Sequence, residues 1–385
     1  MNLIKSYLRY NEISNQRKEV FDLLDSIRFE HNTENRLVGL NNIAMVLPSV
    51  YANLGGITSA LRILVYMQKK GCNITVILDS KKQSIDEALN NAKMCLPDFS
   101  GRVICVEDAI REKFDICIAT NWRTVFTASR INGYKVYFVQ DYEANFYETN
   151  DFSVLAKETY SLGFHIISLG KWNLDMIRKN VLITNKGKMD SIDFPYDRNE
   201  YKYDGRDYLK YKNRKDIRIV CYIRFIGRRI PYICEYMLEE VRKELMAYGY
   251  SVEISFFGID KKNRFKNATN LGKLTRSDLY NLYCVSDFGM VASMSNISLV
   301  PYEMLATGLP VIEFKAGSFP YFLGEDTAIL TGYNPKELST KILEVMNNPE
   351  MLLEMHNRAE KRLKDLSWDS TCEQFYRILD SAKLS

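Results

Sequence analysis

A chain of 385 residues, 46% hydrophobic and 26% charged, is about twice one ordinary domain and reads as a soluble protein with two buried cores. Its 52 basic and 48 acidic side chains leave a net charge of +4, which excludes general nucleic-acid binding but allows a basic patch facing an anionic ligand or membrane surface. Eight cysteines without C-x-x-C spacing and three histidines fit core thiols in a reducing compartment and argue against a histidine-built zinc site. The N-terminus lacks a signal-peptide core and no apolar run approaches the ~18 residues of a membrane span, so a cytoplasmic location is expected.

Residues 1 to about 30 read as helix, with Leu3, Ile4, Tyr7, Leu8, Val20, Phe21, Leu24 and Ile27 at helical spacing and Lys5, Arg9, Arg17 and Lys18 among them. Two readings stay open: a helix packed on its own domain, or an interfacial helix resting on anionic lipid. A βαβ unit follows, with strand 43–47, the loop Pro48 to Gly56, helix 57–70 closed by Gly71, and strand 73–78. Further strands at 116–119, 136–139 and 166–169 alternate with helical segments, the pattern of a parallel, doubly wound sheet. Residues 196–216, rich in Tyr, Lys, Arg and Asp and poor in aliphatics, read as an interdomain linker.

A second series begins with strand 217–223 and continues through helix 231–248, strand 252–257, helix 276–285, strand 288–292, helix 300–307 and strand 311–314. Three helical segments, near 335–347, 349–366 and 368–383, finish the chain. The expected architecture is α/β: two Rossmann-like doubly wound domains, 1–200 and 201–385, facing a central cleft, with the last helix crossing back to the first domain.

Three motifs carry chemistry. Asn53-Leu-Gly55-Gly56 lies between a strand and a helix, where glycines permit close approach of a ligand and a helix N-terminus offers N–H groups to an anion; tight packing is the alternative. It is not G-x-G-x-x-G, and no P-loop occurs. Arg224, Arg228 and Arg229 stand in the turn after the first strand of the second domain, where a diphosphate would meet a helix N-terminus; a solvated basic loop is the alternative. The most specific motif runs from Asp287 to Glu313 as strand, polar loop, helix, Gly-Pro turn and strand. Ser295, Asn296, Ile297 and Ser298 form its loop. Glu303 is expected in the first helical turn, ionised by the dipole and able to accept two hydrogen bonds from a ribose diol.

The segment from Ser295 to Val311 resembles the nucleotide-binding motif of retaining GT-B glycosyltransferases, E-x7-E followed by A-x-G-x-P-V. The resemblance implies that Glu303 holds the nucleotide ribose; Ser295 stands where that family has its first glutamate. Val139-Gln-Asp141-Tyr-Glu143-Ala-Asn-Phe146, Glu158-Thr-Tyr160, Asn121-Trp122 and the Tyr222-Ile-Arg224 turn are similar to segments of the WsaF-type rhamnosyltransferases. That likeness implies dTDP-β-L-rhamnose as donor, Arg224 and Arg228 on its diphosphate, Gly272-Lys273-Leu274 beside its base, and retention of configuration.

No D-x-D triplet occurs, so fixed arginines and helix dipoles, rather than a metal, are expected to neutralise the leaving group, and no cofactor is expected beyond the donor. Asp141 and Glu143 follow a strand end and are candidates to orient or deprotonate an acceptor hydroxyl, with capping carboxylates as the alternative. The basic N-terminal helix and the Tyr/Lys-rich segment fit a lipid-linked or surface-polysaccharide acceptor at the inner face of a membrane. A homodimer stays open. So do a UDP-hexose donor and a non-catalytic nucleotide-binding paralogue. An epimerase is disfavoured by the scarcity of histidine, and an oxidoreductase by the missing glycine fingerprint.

Overall fold

The computed structural model describes residues 2–26, 36–51, 55–181, 187–203 and 205–383. Residues 27–30 of the expected first helix, Asn53 and Leu54 of the expected loop, and Asp204 of the expected linker lie outside the described residues. Internal contacts divide the chain into Met1–Asp193 with Cys372–Ser385, and Phe194–Thr371.

The first unit carries a seven-stranded sheet made of β1 (Asn42–Leu47), β2 (Asn73–Leu78), β3 (Arg102–Cys105), β4 (Ile116–Ala119), β5 (Tyr134–Val139), β6 (His165–Leu169) and β7 (Met189–Ile192). Their spatial order is β3-β2-β1-β4-β5-β6-β7, and every pairing is parallel. The inner strands are apolar on both faces, as a sheet covered on both sides requires. Its helices are α1 (Asn2–Ser26), α2 (Gly55–Lys69), α3 (Ile85–Cys95), α4 (Val106–Ala109), α5 (Trp122–Ser129), α6 (Asp151–Glu158) and α7 (Lys171–Asn180).

In the second unit β8 (Asp216–Tyr222), β9 (Ser251–Phe257), β10 (Thr269–Gly272), β11 (Phe288–Met290), β12 (Val311–Phe314) and β13 (Ile329–Thr331) form a six-stranded parallel sheet in the order β10-β9-β8-β11-β12-β13. The helices are α8 (Pro231–Ala247), α9 (Arg276–Val285), α10 (Leu299–Ala306), α11 (Phe319–Leu323), α12 (Pro335–Asn347), α13 (Glu350–Leu363) and α14 (Trp368–Ala382). From Cys372 onward α14 belongs to the first unit, where Glu373 pairs with Lys70 and Phe375 meets Phe138 edge-on. No described helix is long and apolar enough to cross a membrane.

Three expectations need correction. Residues 196–216 are not a solvated linker: Tyr201, Tyr208 and Tyr211 are each 3% exposed, and the last two join the second unit's core. Tyrosine supplies a large apolar body with a polar tip, so a segment without aliphatics can still be core. Gly55 and Gly56 are not loop residues but the first two residues of α2. Glu303 is not in the first turn of α10, because the helix starts at Leu299 and Glu303 is a full turn further on.

Candidate functional site

In an open parallel sheet, ligands sit at the carboxyl ends of the strands, where the strand order reverses. In the second unit that point lies between β8 and β11. The segments leaving these two strands are the arginine turn, 223–230, and the serine loop, 291–298.

Arg224 is exposed, Arg228 half-buried, and Arg229 only 7% exposed. Arg229 is structural rather than a third ligand arginine: its Nη1 donates to the Ala292 carbonyl at 2.9 Å and reaches Ser293 Oγ at 3.5 Å. The turn ends on Ile230, which adopts φ +35 and ψ 55 immediately before Pro231. A β-branched residue in the left-handed region is a strained conformation of the kind concentrated at ligand clamps. Among the described residues no side chain caps α8; Pro231 has no N–H and the Ile233 N–H turns back to the Ile230 carbonyl at 3.1 Å, which leaves the Tyr232 N–H as that turn's donor for an anion.

The serine loop is sealed into the unit. Ser295 and Asn296 are each 1% exposed and Ile297 is 3% exposed, so Ile297 is an apolar anchor. Ser298 is the N-cap residue of α10 but makes no capping hydrogen bond, and its buried Oγ has no hydrogen-bond partner among the described residues. A second open helix N-terminus thus flanks the reversal point. The turn behind α10 is fixed by packing: Gly308 has φ +79, and a Cβ there would meet the Tyr203 ring at 2.6 Å.

Glu303 lies in a cluster that the sequence reading missed. Burial, and next the Glu200 carboxylate, push its pKa up to about 7, against the opposing pull of Arg276 and the Tyr201 hydroxyl. The expectation of a carboxylate held ionised by the helix dipole is therefore corrected. Glu200 and Arg276 pair at 2.6 Å. Tyr283, fully buried nearby, carries a hydroxyl without a hydrogen-bond partner. Glu200 and Tyr201 went unseen because they lie in the stretch read as linker; the density of tyrosines, of which 201, 208 and 211 are buried, was the signal for a packed segment.

Gly272, with φ +82, ends edge strand β10 and packs on Lys261, which a Cβ would meet at 2.6 Å. Lys273 is exposed and Leu274 half-buried just beyond it. These three share the carboxyl edge with the arginine turn, but on β10, two strands away from β8.

In the first unit the strand order reverses between β1 and β4. A Cβ on Gly56 would touch Gln140 Oε1 at 3.2 Å, whereas one on Gly55 would meet nothing. Gly56 therefore packs the start of α2 on the end of β5, and Gly55 leaves free space. Asp141, 9% exposed, accepts a hydrogen bond from the Tyr142 N–H at 2.8 Å. Glu143 is the capping carboxylate of the alternative reading: its Oε2 accepts from the Trp122 N–H at the start of α5 and from Tyr137 OH at 2.8 Å. The Tyr160 hydroxyl in turn accepts from the Glu143 N–H at 3.0 Å. The structure thus gives Glu143 hydrogen bonds that support the start of α5 and the end of β5. Among the described residues no group of three or more His, Cys, Asp or Glu side chains could hold a metal ion.

No protein-family model matches the chain. It is 24% identical over 276 residues to the O-antigen biosynthesis protein RfbC of Myxococcus xanthus, covering 69% of this chain and 20% of that protein. It is 26% identical over 128 residues to the D-inositol 3-phosphate glycosyltransferase of Corynebacterium glutamicum (strain R), covering 32% and 29%. The chain thus spans under a third of the length of these curated relatives. Among solved structures it resembles sucrose-phosphate synthase from Thermosynechococcus elongatus, with a TM-score of 0.67 at 14% identity over 89% of this chain and 100% of that one. It also resembles Anabaena Alr3699/HepE in complex with UDP and glucose, with a TM-score of 0.66 at 14% identity and the same coverage. At these identities the likeness establishes the fold, which is the two-domain α/β arrangement of GT-B glycosyltransferases.

Proposed function

We propose that the chain is a glycosyltransferase that takes a sugar from a nucleoside-diphosphate donor and adds it to a surface-polysaccharide or lipid-linked acceptor. The observation that carries this reading is the second unit's reversal point, where two uncapped helix N-termini, two accessible arginines and a carboxyl with a pKa of about 7 stand on neighbouring segments. Uncapped N–H groups and arginine forks suit a diphosphate, and a half-buried carboxyl suits a ribose diol. In this assignment Arg224 and Arg228 hold the diphosphate and neutralise it as it leaves, without a metal. Glu303 accepts the ribose hydroxyls, Ser295, Asn296 and Ser298 face the phosphate and sugar, and Gly272 to Leu274 border the base. Asp141 of the first unit orients or deprotonates the acceptor hydroxyl.

The VQDxExxF-like segment favours dTDP-β-L-rhamnose as donor. A UDP-hexose is the second reading, favoured by the structural likeness to a protein solved with UDP and glucose. The O-antigen relative supports a glycan acceptor. Incubation with dTDP-rhamnose, UDP-glucose, UDP-galactose and GDP-mannose, read as nucleotide release and as thermal shift with dTDP and UDP, tests both. Stronger stabilisation by dTDP supports rhamnose, and by UDP the hexose. No release and no shift with any of them sinks the enzyme assignment.

A further inference from the structure

One buried carboxyl at this edge has no part in the proposed donor contacts. Glu313 sits in β12 between apolar residues and is 0% exposed. Its Oε1 accepts from Ser293 Oγ at 2.8 Å, while its Oε2 is enclosed without a hydrogen-bond partner among the described residues. Ser293 is also fully buried and is gripped from two more sides. Arg229, from the arginine turn, reaches its Oγ at 3.5 Å and the adjoining Ala292 carbonyl at 2.9 Å. Ser318 donates to its carbonyl from both N (2.6 Å) and Oγ (3.0 Å). Ser293 lies two residues before Ser295, and Arg229 directly follows Arg228. One carboxyl therefore stands at the joint between the two halves of the candidate donor site.

A buried carboxyl with an unbonded oxygen is costly to ionise. The charged and titratable groups facing it are Arg229 from the turn and Cys221 from β8, with Cys234 of α8 against Cys221. Burial outweighs the Ser293 hydroxyl, Arg229 and the backbone N–H groups of Phe314 and Ser293, and raises the Glu313 pKa to about 8. Ionisation would place an anion where burial disfavours it, so the fold around Glu313 holds less firmly once the carboxyl is charged and the joint opens more readily as pH rises.

We propose that Glu313 is a positioning residue that, through Ser293 and Arg229, fastens the arginine turn to the serine loop so that the two order as one piece. Its consequence for donor binding rests on the function proposed above; the mechanical coupling does not. The test uses the full chain and two variants, Glu313→Gln, which keeps an acceptor for Ser293 and cannot ionise, and Arg229→Ala, which removes both bonds from the turn to the loop. Amide hydrogen exchange of 224–230 and 291–298 is followed at pH 7 and pH 9, with titration of UDP and dTDP at each pH. The wild type should lose protection in both segments together at pH 9, and its nucleotide affinity should fall about tenfold. Glu313→Gln should keep both within about twofold, and any titration of the nucleotide itself is common to the two proteins. Arg229→Ala should let the two segments exchange independently even at pH 7. If Glu313→Gln matches the wild type at pH 9, or Arg229→Ala leaves the segments exchanging together, the coupling is refuted, whatever nucleotide binding shows. If the exchange pattern appears but wild type binds neither nucleotide, the coupling stands and the donor assignment fails.

Discussion

The two sheets of this chain reverse their strand order in the same way, yet their reversal points are finished differently. In the first unit the helix leaving β4 is closed from within: Asn121 caps α5 in a reciprocal capping box, and Glu143 takes the Trp122 N–H as well. In the second unit α8 and α10 begin without side-chain caps, beside Arg224, Arg228 and the unbonded Ser298 hydroxyl. A capped N-terminus has spent its donors on the protein; an open one keeps them for an anion. Topology alone makes both units ligand platforms, and the proposed assignment of the phosphate to the second rests on this difference in capping between α5 and the pair α8 and α10.

Removing the cations from the open end should have the largest effect. Arg224→Ala combined with Arg228→Ala should weaken nucleoside-diphosphate binding by about 100-fold or more, since each charge-assisted hydrogen bond is worth about 1.5–3 kcal/mol. Gly56→Ala in the first unit should change the same affinity by less than about twofold, because its Cβ meets only the end of Gln140. Calorimetric titration checks both; equal losses would erase the distinction between the units. Glu143→Ala should reverse the pattern. It strands the Trp122 N–H and the Tyr137 hydroxyl, which should cost about 2–4 kcal/mol of stability in denaturant unfolding, with nucleotide affinity unchanged. A Glu143 variant that folds with full stability but transfers no sugar would return the catalytic role to that residue.

Glu303 sharpens the contrast with pH. Its pKa of about 7 in the free protein must fall when a ribose diol donates to the carboxylate, so binding favours the ionised form. Affinity should be full well above pH 7 and decline as pH falls through 7, approaching tenfold per pH unit. Glu303→Gln should bind about tenfold more weakly at pH 8 and lose that decline. A wild-type affinity that does not vary between pH 6 and 8 would place the ribose elsewhere.

The largely apolar strands β1, β2, β4 and β5 and the capped or glycine-stopped helices were legible in sequence, because a doubly covered sheet writes its burial directly into composition. Edge strands β3, β7, β10 and β13 were not, being short and, except for β13, half-exposed. The arginine turn and the serine loop were found by their place between strand and helix. What each side chain does there was not legible. Arg228 and Arg229 are neighbours of one type, yet the second is buried on Ala292. Glu303 and Glu313 are carboxyls of one motif, and both owe their raised pKa first to burial. Burial of a polar side chain depends on segments distant in sequence, such as the tyrosines of 201–211, which is why the linker reading hid half of the Glu303 cluster.

The smallest expected effect separates the units by the sign of their response to pH. At the amino ends of β5, β6 and β7, Tyr134 OH lies 2.9 Å from His165 Nδ1, and His165 Nε2 lies 2.8 Å from Asp190 Oδ2. His165 is 1% exposed, and its pKa is lowered first by burial, which outweighs the Asp190 carboxylate. A histidine kept neutral in the fold contributes stability that is complete above its unfolded pKa of about 6.5 and is lost as pH falls through its lower folded value. Glu313 runs the other way: an acid raised to about 8 gives its full share below about 4.5 and loses it as pH rises towards 8. Hydrogen exchange should therefore show β6 amides opening more readily as pH drops below 6.5, and β12 amides opening more readily as it climbs from about 4.5 towards 8, after correction for intrinsic rates. His165→Phe should flatten only the first trend and Glu313→Gln only the second. Both strands losing protection in the same direction would mean that the two units do not hold their titratable groups for opposite physical reasons.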